Sequence, residues 1–134
     1  MKQTFEEFIA IVEKRLARDP WVRDANISGF SEHIALEAKE LLDATKANDT
    51  EHIKEELGDI IMNCAHACKL AEEQGLFTLR DVFQTANEKM KRRCPYVLDE
   101  EHKPLTKEEA VRLWKEAKKI EKEEAQRRKS QTLK

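Results

Sequence analysis

The sequence predicts an all-α domain built as a bundle of four to five helices, and three observations carry that prediction. At 134 residues the chain is long enough for one hydrophobic core and short for two. It holds three glycines and three prolines against 39% charged residues, too little punctuation for a β meander. Apolar residues recur every three to four positions in several stretches, each opened or closed by a cap or turn signal.

The first helix is expected to open at a capping box, Thr4 with Glu7, and to line up Phe5, Phe8, Ile9, Val12 and Leu16 until RDP stops it. Residues 19–30, DPWVRDANISGF, read as a connection. Ser31 caps a second helix over about residues 32–46. Past KANDT, Asp49 or Thr50 caps a third, over about 51–73, and Gly75 ends it. Thr78 with Asp81 opens a fourth, which stops before Pro95. LDEEHKP is a loop, and Thr106 with Glu109 opens a last helix with Val111, Leu113, Trp114, Ala117 and Ile120 as its apolar positions. One domain over residues 1–121 results. Residues 122–134 have almost nothing to bury and are expected to fray.

With 25 basic and 27 acidic residues, the net charge of −2 provides no bulk attraction to nucleic acid or an anionic membrane. No apolar run approaches the roughly 18 residues of a membrane span, and MKQTFEEFIA lacks a signal-peptide core, so a cytoplasmic protein is expected. Cys64, Cys68 and Cys94 are odd in number and form no CxxC pair, which argues against a disulfide framework or a zinc site. Cys64 and Cys68 read as small core residues.

At about 100° per residue, the second helix has an apolar arc of Ile34, Ala35, Ala38, Leu41 and Leu42, with Glu37 and Glu40 on one shoulder. The arc of the third is Ile53, Leu57, Ile60, Ile61, Cys64, Ala67, Cys68 and Ala71; Glu56 and Asp59 share its shoulder, followed by Asn63 and His66. Two antiparallel helices joined by KANDT would bring four carboxylates together. Unit charges about 6 Å apart repel by roughly 3 kcal/mol at an effective dielectric near 20, so such a cluster needs a cation. Oxygen ligands without histidine or thiolate suit Mg²⁺, with Mn²⁺ as a substitute. Solvated glutamates on helix shoulders are the plainer reading of the same spacing. A di-iron centre needs Glu-x-x-His on two helices, and that motif does not occur here.

On the fourth helix, Leu79, Val82, Phe83, Ala86 and Met90 define the apolar arc, with Arg93 inside it and Lys89 on its border. An Arg fork beside a Lys point charge suits a polyphosphate; snorkelling at a helix end is the alternative. Trp114 reads as a core anchor, or as a ring on which a base stacks.

The stretch from DPWVRD through HIALEAKELLDATKANDTEHIKEELGD, continuing into AEEQGLF and ANEKMKRRCPYV and more loosely RLWKEAKK, resembles the all-α nucleoside triphosphate pyrophosphohydrolases of the MazG type over about residues 18–118. Their hallmark is EExxE, a spacer, then ExxD. The resemblance implies that Glu37, Glu40, Glu56 and Asp59 bind Mg²⁺, and that Lys89 and Arg93 hold the triphosphate. It also implies that Trp114 borders the nucleotide, and it places Asn63 and His52 in the substrate-binding set, with His66 a further candidate above the metal. Leu36 stands at the first glutamate of EExxE, His52 where some members have lysine, and His66-Ala67 where Phe-His is common.

The reaction so implied is hydrolysis of a nucleoside triphosphate to monophosphate and pyrophosphate by water attack at the α-phosphorus, with Glu37 or Glu40 activating the water. A house-cleaning or nucleotide-pool role follows. Narrower and rival readings are a pyrimidine-specific dUTP or dCTP pyrophosphatase and a non-catalytic helical interaction module. Leu36 and Ala44 on the second helix and Met62 on the third lie away from the main arcs, which suggests a subunit contact; the resemblance adds a dimer or tetramer.

Overall fold

The structure, a computed structural model, describes residues 1–101 and 103–133. His102, in the predicted loop, and Lys134, at the end of the predicted tail, lie outside the described residues. The helices are α1 (Lys2–Arg18), α2 (Pro20–Asp24), α3 (Ile27–Ala47), α4 (Thr50–Glu73), α5 (Leu79–Arg93) and α6 (Lys107–Thr132), with a 3-10 turn at Pro95–Val97. There is no strand among the described residues, and no helix of them is long and apolar enough to cross a membrane.

Capping chemistry sets most of these boundaries, and it corrects two of the predicted ones. Met1, not Thr4, precedes α1: the Phe5 N–H already reaches the Met1 carbonyl at 3.0 Å, so Thr4 and Glu7 lie inside the helix and form no capping box at its start. Residues 19–30 are not irregular either. Asp19 accepts from the Trp21 N–H at 3.0 Å and, with Pro20 at the first position, starts the short α2. The Asn26 side chain accepts from the Gly29 N–H at 2.7 Å and starts α3 at Ile27, several residues before Ser31, whose hydroxyl instead donates to the Ile27 carbonyl within the helix. The remaining caps follow expectation. Asn48, left-handed at φ 55°, closes α3; Asp49 caps α4; Gly75 takes φ 68° after it; Thr78 with Asp81 and Thr106 with Glu109 make reciprocal caps for α5 and α6.

The chain divides into two compact units, Met1–Val82 and Phe83–Lys134. In the first, α3 and α4 form an antiparallel hairpin, and α1 packs on α4 with Lys69 Nζ 2.8 Å from the Glu13 carboxylate. Leu16, Val22, Phe30 and Leu70 make the core, with Ala25, Ile27 and Ala67 packed against them. Of the predicted apolar arcs, Ile34 and Leu41 on α3 and Ile53, Ile60, Ala67, Cys68 and Ala71 on α4 are buried or half-buried, but the α3–α4 seam also takes in polar residues outside those arcs. Phe30, Glu37, Leu41 and Ala44 face it from α3, and Glu56, Asp59, Asn63, His66 and Leu70 from α4, all buried or half-buried. Ala35, Ala38 and Leu42 on α3 and Leu57, Ile61 and Cys64 on α4 are exposed instead, so Cys64 is not a core residue, whereas Cys68 is. Of the residues read as a subunit contact, Ala44 is buried within the chain, Met62 lies against Arg15, and Leu36 alone is exposed.

In the second unit, side chains of α6 and of the C-terminal part of α5 meet with no residue of either fully buried. Arg92 and Arg93 both bind Glu121. The structure draws α6 on through Lys122 to Thr132 with side chains exposed, so the charged tail is helical here rather than irregular.

Candidate functional site

Three carboxylates converge in the seam. Glu37 from α3 and Glu56 and Asp59 from α4 each offer an oxygen, and these oxygens all lie within 4.8 Å of one another. None of the three forms an ion pair among the described residues. Glu56 is 8% exposed, and its Oε2 is buried without a hydrogen-bond partner. At 4.8 Å, two ionised carboxylates repel by about 3 kcal/mol even at an effective dielectric near 20. The Glu37 carboxyl responds by holding its proton: partial burial, hydrogen bonds shared with Glu40 and Glu56, and the charges of Glu40 and Asp59 push it up to about 7. A buried, orphaned carboxylate oxygen beside two more is a donor set suited to a hard divalent cation.

Glu40 is exposed and is not one of the three, although its carboxyl is close enough to Glu37 to raise it. Asn63 is buried, donates from Nδ2 to the Asp59 carbonyl at 2.9 Å, and so fixes the turn that carries Asp59. His52 is exposed and sits 3.4 Å from the Asp49 carboxylate. His66 does not line the site. It is 1% exposed, stacked on Phe30 with ring centroids 5.2 Å apart, and its Nδ1 lies 2.8 Å from the Met62 carbonyl. Burial holds its imidazole below the ordinary range.

In the second unit Arg93 does have the anion that an inward cation requires, and it is the chain's own Glu121. Arg93 Nη2 donates to Glu121 Oε2 at 2.7 Å and Arg92 Nε to Oε1 at 3.2 Å, which holds the Glu121 carboxyl below its usual range. The Arg93 guanidinium also lies 4.9 Å from the centroid of Trp114, so that ring is an Arg platform at the surface rather than a core anchor. Lys89 is exposed; with Arg92, Arg93 and Lys118 it lines a groove of about 600 Å³.

Beside the carboxylates is a cavity of about 340 Å³, lined by Glu37, Asp59 and Asn63 and by Arg15, Trp21, Phe30 and His33. A second, of about 300 Å³, shares Trp21, Phe30 and His33. Trp21 meets both other rings edge-on, at centroid distances of 5.7 Å to Phe30 and 5.5 Å to His33. Sequence reasoning missed Trp21 and Phe30 because it treated 19–30 as a connection. The available signal was Asp-Pro-Trp, a cap followed by a first-turn proline, which starts a helix and aims the indole.

Residues 27–98 match the MazG nucleotide pyrophosphohydrolase domain. The chain is 36% identical over 97 residues to the nucleoside triphosphate pyrophosphohydrolase/pyrophosphatase MazG of Thermotoga maritima, covering 69% of this chain and 37% of that protein. It is 30% identical over 116 residues to the nucleoside triphosphate pyrophosphohydrolase of Mycobacterium tuberculosis, covering 85% of this chain and 35% of that one. It thus spans about a third of the length of these curated relatives. A crystal structure of a mazG-related protein from Thermotoga maritima superposes with a TM-score of 0.74 at 31% identity, over 85% of this chain and 98% of that one. Sequence, fold and acidic seam agree: the chain belongs to the MazG nucleotide pyrophosphohydrolase domain family.

Proposed function

We propose that this protein hydrolyses nucleoside triphosphates to the monophosphate and pyrophosphate in a Mg²⁺-dependent reaction, in the service of house-cleaning or nucleotide-pool control. The observation that carries the reading is the trio of seam carboxylates within 4.8 Å, one with a buried oxygen lacking any partner. Glu37, Glu56 and Asp59 would hold the ion, with Mn²⁺ as a substitute, and Glu40 stands beside them. When bound, the ion supplies positive charge for the carboxylates and for the phosphate oxygens of the substrate.

The protein's own groups account for the rest of the reaction. Water attacks the α-phosphorus and gives its proton to a glutamate. We assign that role to Glu40, which is adjacent to Glu37 yet free of the trio. The bond from the α-phosphorus to the bridging oxygen breaks, and pyrophosphate leaves. Asn63 keeps Asp59 oriented, while Trp21, Phe30 and His33 offer ring surfaces to the nucleoside. By family resemblance, Lys89 and Arg93 take the triphosphate and Trp114 borders the nucleotide; Lys89 is exposed and forms no ion pair among the described residues. His52, tied to Asp49, has an accessory part in substrate binding.

A homodimer or tetramer in a cytoplasmic setting completes the proposal. Its support is the exposed apolar set of Leu36 and Leu42 on α3 and Leu57 and Ile61 on α4, which a second copy would cover. The test is a panel of canonical and damaged ribo- and deoxyribonucleoside triphosphates with Mg²⁺, scored for monophosphate and pyrophosphate. Orthophosphate from every substrate, or no product, refutes the assignment.

A further inference from the structure

Arg15 is a charged side chain in the wall of the 340 Å³ cavity to which neither the family resemblance nor the proposed reaction gives a task. Its guanidinium is held on one edge only. Nε and Nη2 donate to a single oxygen, Asp19 Oδ2, at 3.1 and 2.9 Å. The other oxygen, Oδ1, accepts from the Trp21 N–H at 3.0 Å, so one carboxylate fixes both the guanidinium and the start of the helix carrying the indole. Among the described residues Nη1 meets only the Met62 sulfur, at 3.7 Å, a weak acceptor. The remaining N–H groups of Nη1 and Nη2 are therefore a fixed pair of donors.

Two features decide what they suit. Asp19 already neutralises the guanidinium, so the group is matched to a neutral acceptor better than to a phosphate, which asks for free charge. The cavity also has two ends. Met62 follows Asp59 by about one turn of α4, which places Arg15 beyond the carboxylates and on the side of Trp21, Phe30 and His33. Phosphates belong at the acidic end with the cation, and a planar ring belongs at the other.

We infer that Arg15 reads the edge of the nucleobase and favours a base presenting a carbonyl acceptor, guanine over adenine. Parallel guanidinium donors fit the O6 and N7 acceptors of guanine, whereas adenine sets an amino donor against one of them. The inference deepens the proposed hydrolysis and rests on it.

The test compares GTP with ATP, two purines of the same ring system. With Mg²⁺ in excess, kcat/KM for GTP is expected to exceed that for ATP by about tenfold. Arg15→Met is expected to bring the ratio close to one by lowering the GTP value more than the ATP value, mainly through KM, and Arg15→Lys to restore part of the preference. If Arg15→Met does not fold, Asp19→Asn, which releases the guanidinium from its clamp, is expected to reduce the same ratio. Calorimetric titration of the metal-free wild type with GMP and AMP supplies a readout apart from hydrolysis, with GMP bound more tightly. Equal kcat/KM for both nucleotides in the wild type, or an equal loss for both in Arg15→Met, overturns the role of Arg15 while hydrolysis stands. Absence of monophosphate product from either nucleotide overturns both.

Discussion

The seam between α3 and α4 and the pairing of α5 with α6 handle charge in opposite ways. In the seam, three carboxylates crowd within 4.8 Å with no ion-pair partner among the described residues, and one of them is buried. In the second unit, two guanidiniums close on one carboxylate and one of them also lies over an indole, so each charge has a partner. The second arrangement is complete as it stands. In the first, partial burial together with repulsion among the carboxylates pushes the Glu37 carboxyl up to about 7. An ion-pair network of the second kind is ordinary surface structure; the acidic trio is the donor set we propose for the cation.

Changes in the two regions are therefore expected to act on different properties, activity in the seam and stability in the second unit. The largest effect is expected from Asp59→Ala or Glu56→Ala, which should lower hydrolysis about a thousandfold while raising, or leaving unchanged, the melting temperature of the metal-free protein, because a repelling charge is gone. Paired activity and melting assays check this. A large loss of stability would mean that the carboxylates hold the fold together instead.

Next in size is stabilisation by the ion. Mg²⁺ at about 100 times its Kd should add about 2.7 kcal/mol to the unfolding free energy of the wild type and almost nothing to Glu56→Gln. Denaturant titration with and without metal reads the difference.

The pH response sharpens the comparison. In the folded protein the Glu37 carboxyl is raised from its ordinary 4.5 to about 7, so its contribution to stability is full below 4.5 and disappears as pH rises toward 7. Metal-free protein should therefore lose stability over that window, and Glu37→Gln should remove the slope. The Glu121 carboxyl is shifted the other way, held low by Arg93 first. Its contribution is present above its ordinary 4.5 and is lost as pH falls. Glu121→Gln is expected to have the smallest effect, a modest drop in melting temperature near neutral pH that vanishes in acid, seen by calorimetry at two pH values.

Much of this contrast was legible in the sequence. Asp49, Gly75, Thr78 with Asp81 and Thr106 with Glu109 bounded their helices as their capping chemistry requires, because local hydrogen bonds decide such ends. Asn26 was hidden because Asn-Ile-Ser-Gly reads equally as a turn, and the packing of Phe30 into the core decides for helix. The acidic pairs were visible from spacing. That they would occupy the seam itself was not, since a helical wheel ranks faces by hydrophobicity and places Leu57 and Ile61 inward. The structure gives that place to Glu56, Asp59 and Asn63, and leaves Leu57 and Ile61 outside. Arg93, inside an apolar arc, reads from the sequence as a cation in need of an anion; the carboxylate it meets in the fold, Glu121, is 28 residues away along the chain, beyond the reach of any local pattern.

The central claim is that the acidic trio is a cation site, and anomalous diffraction from crystals grown with Mn²⁺ tests it most directly. The account predicts a manganese peak bounded by carboxylate oxygens of Glu37, Glu56 and Asp59. Crystals in which those oxygens surround no metal, or in which manganese binds only elsewhere on the chain, would contradict it.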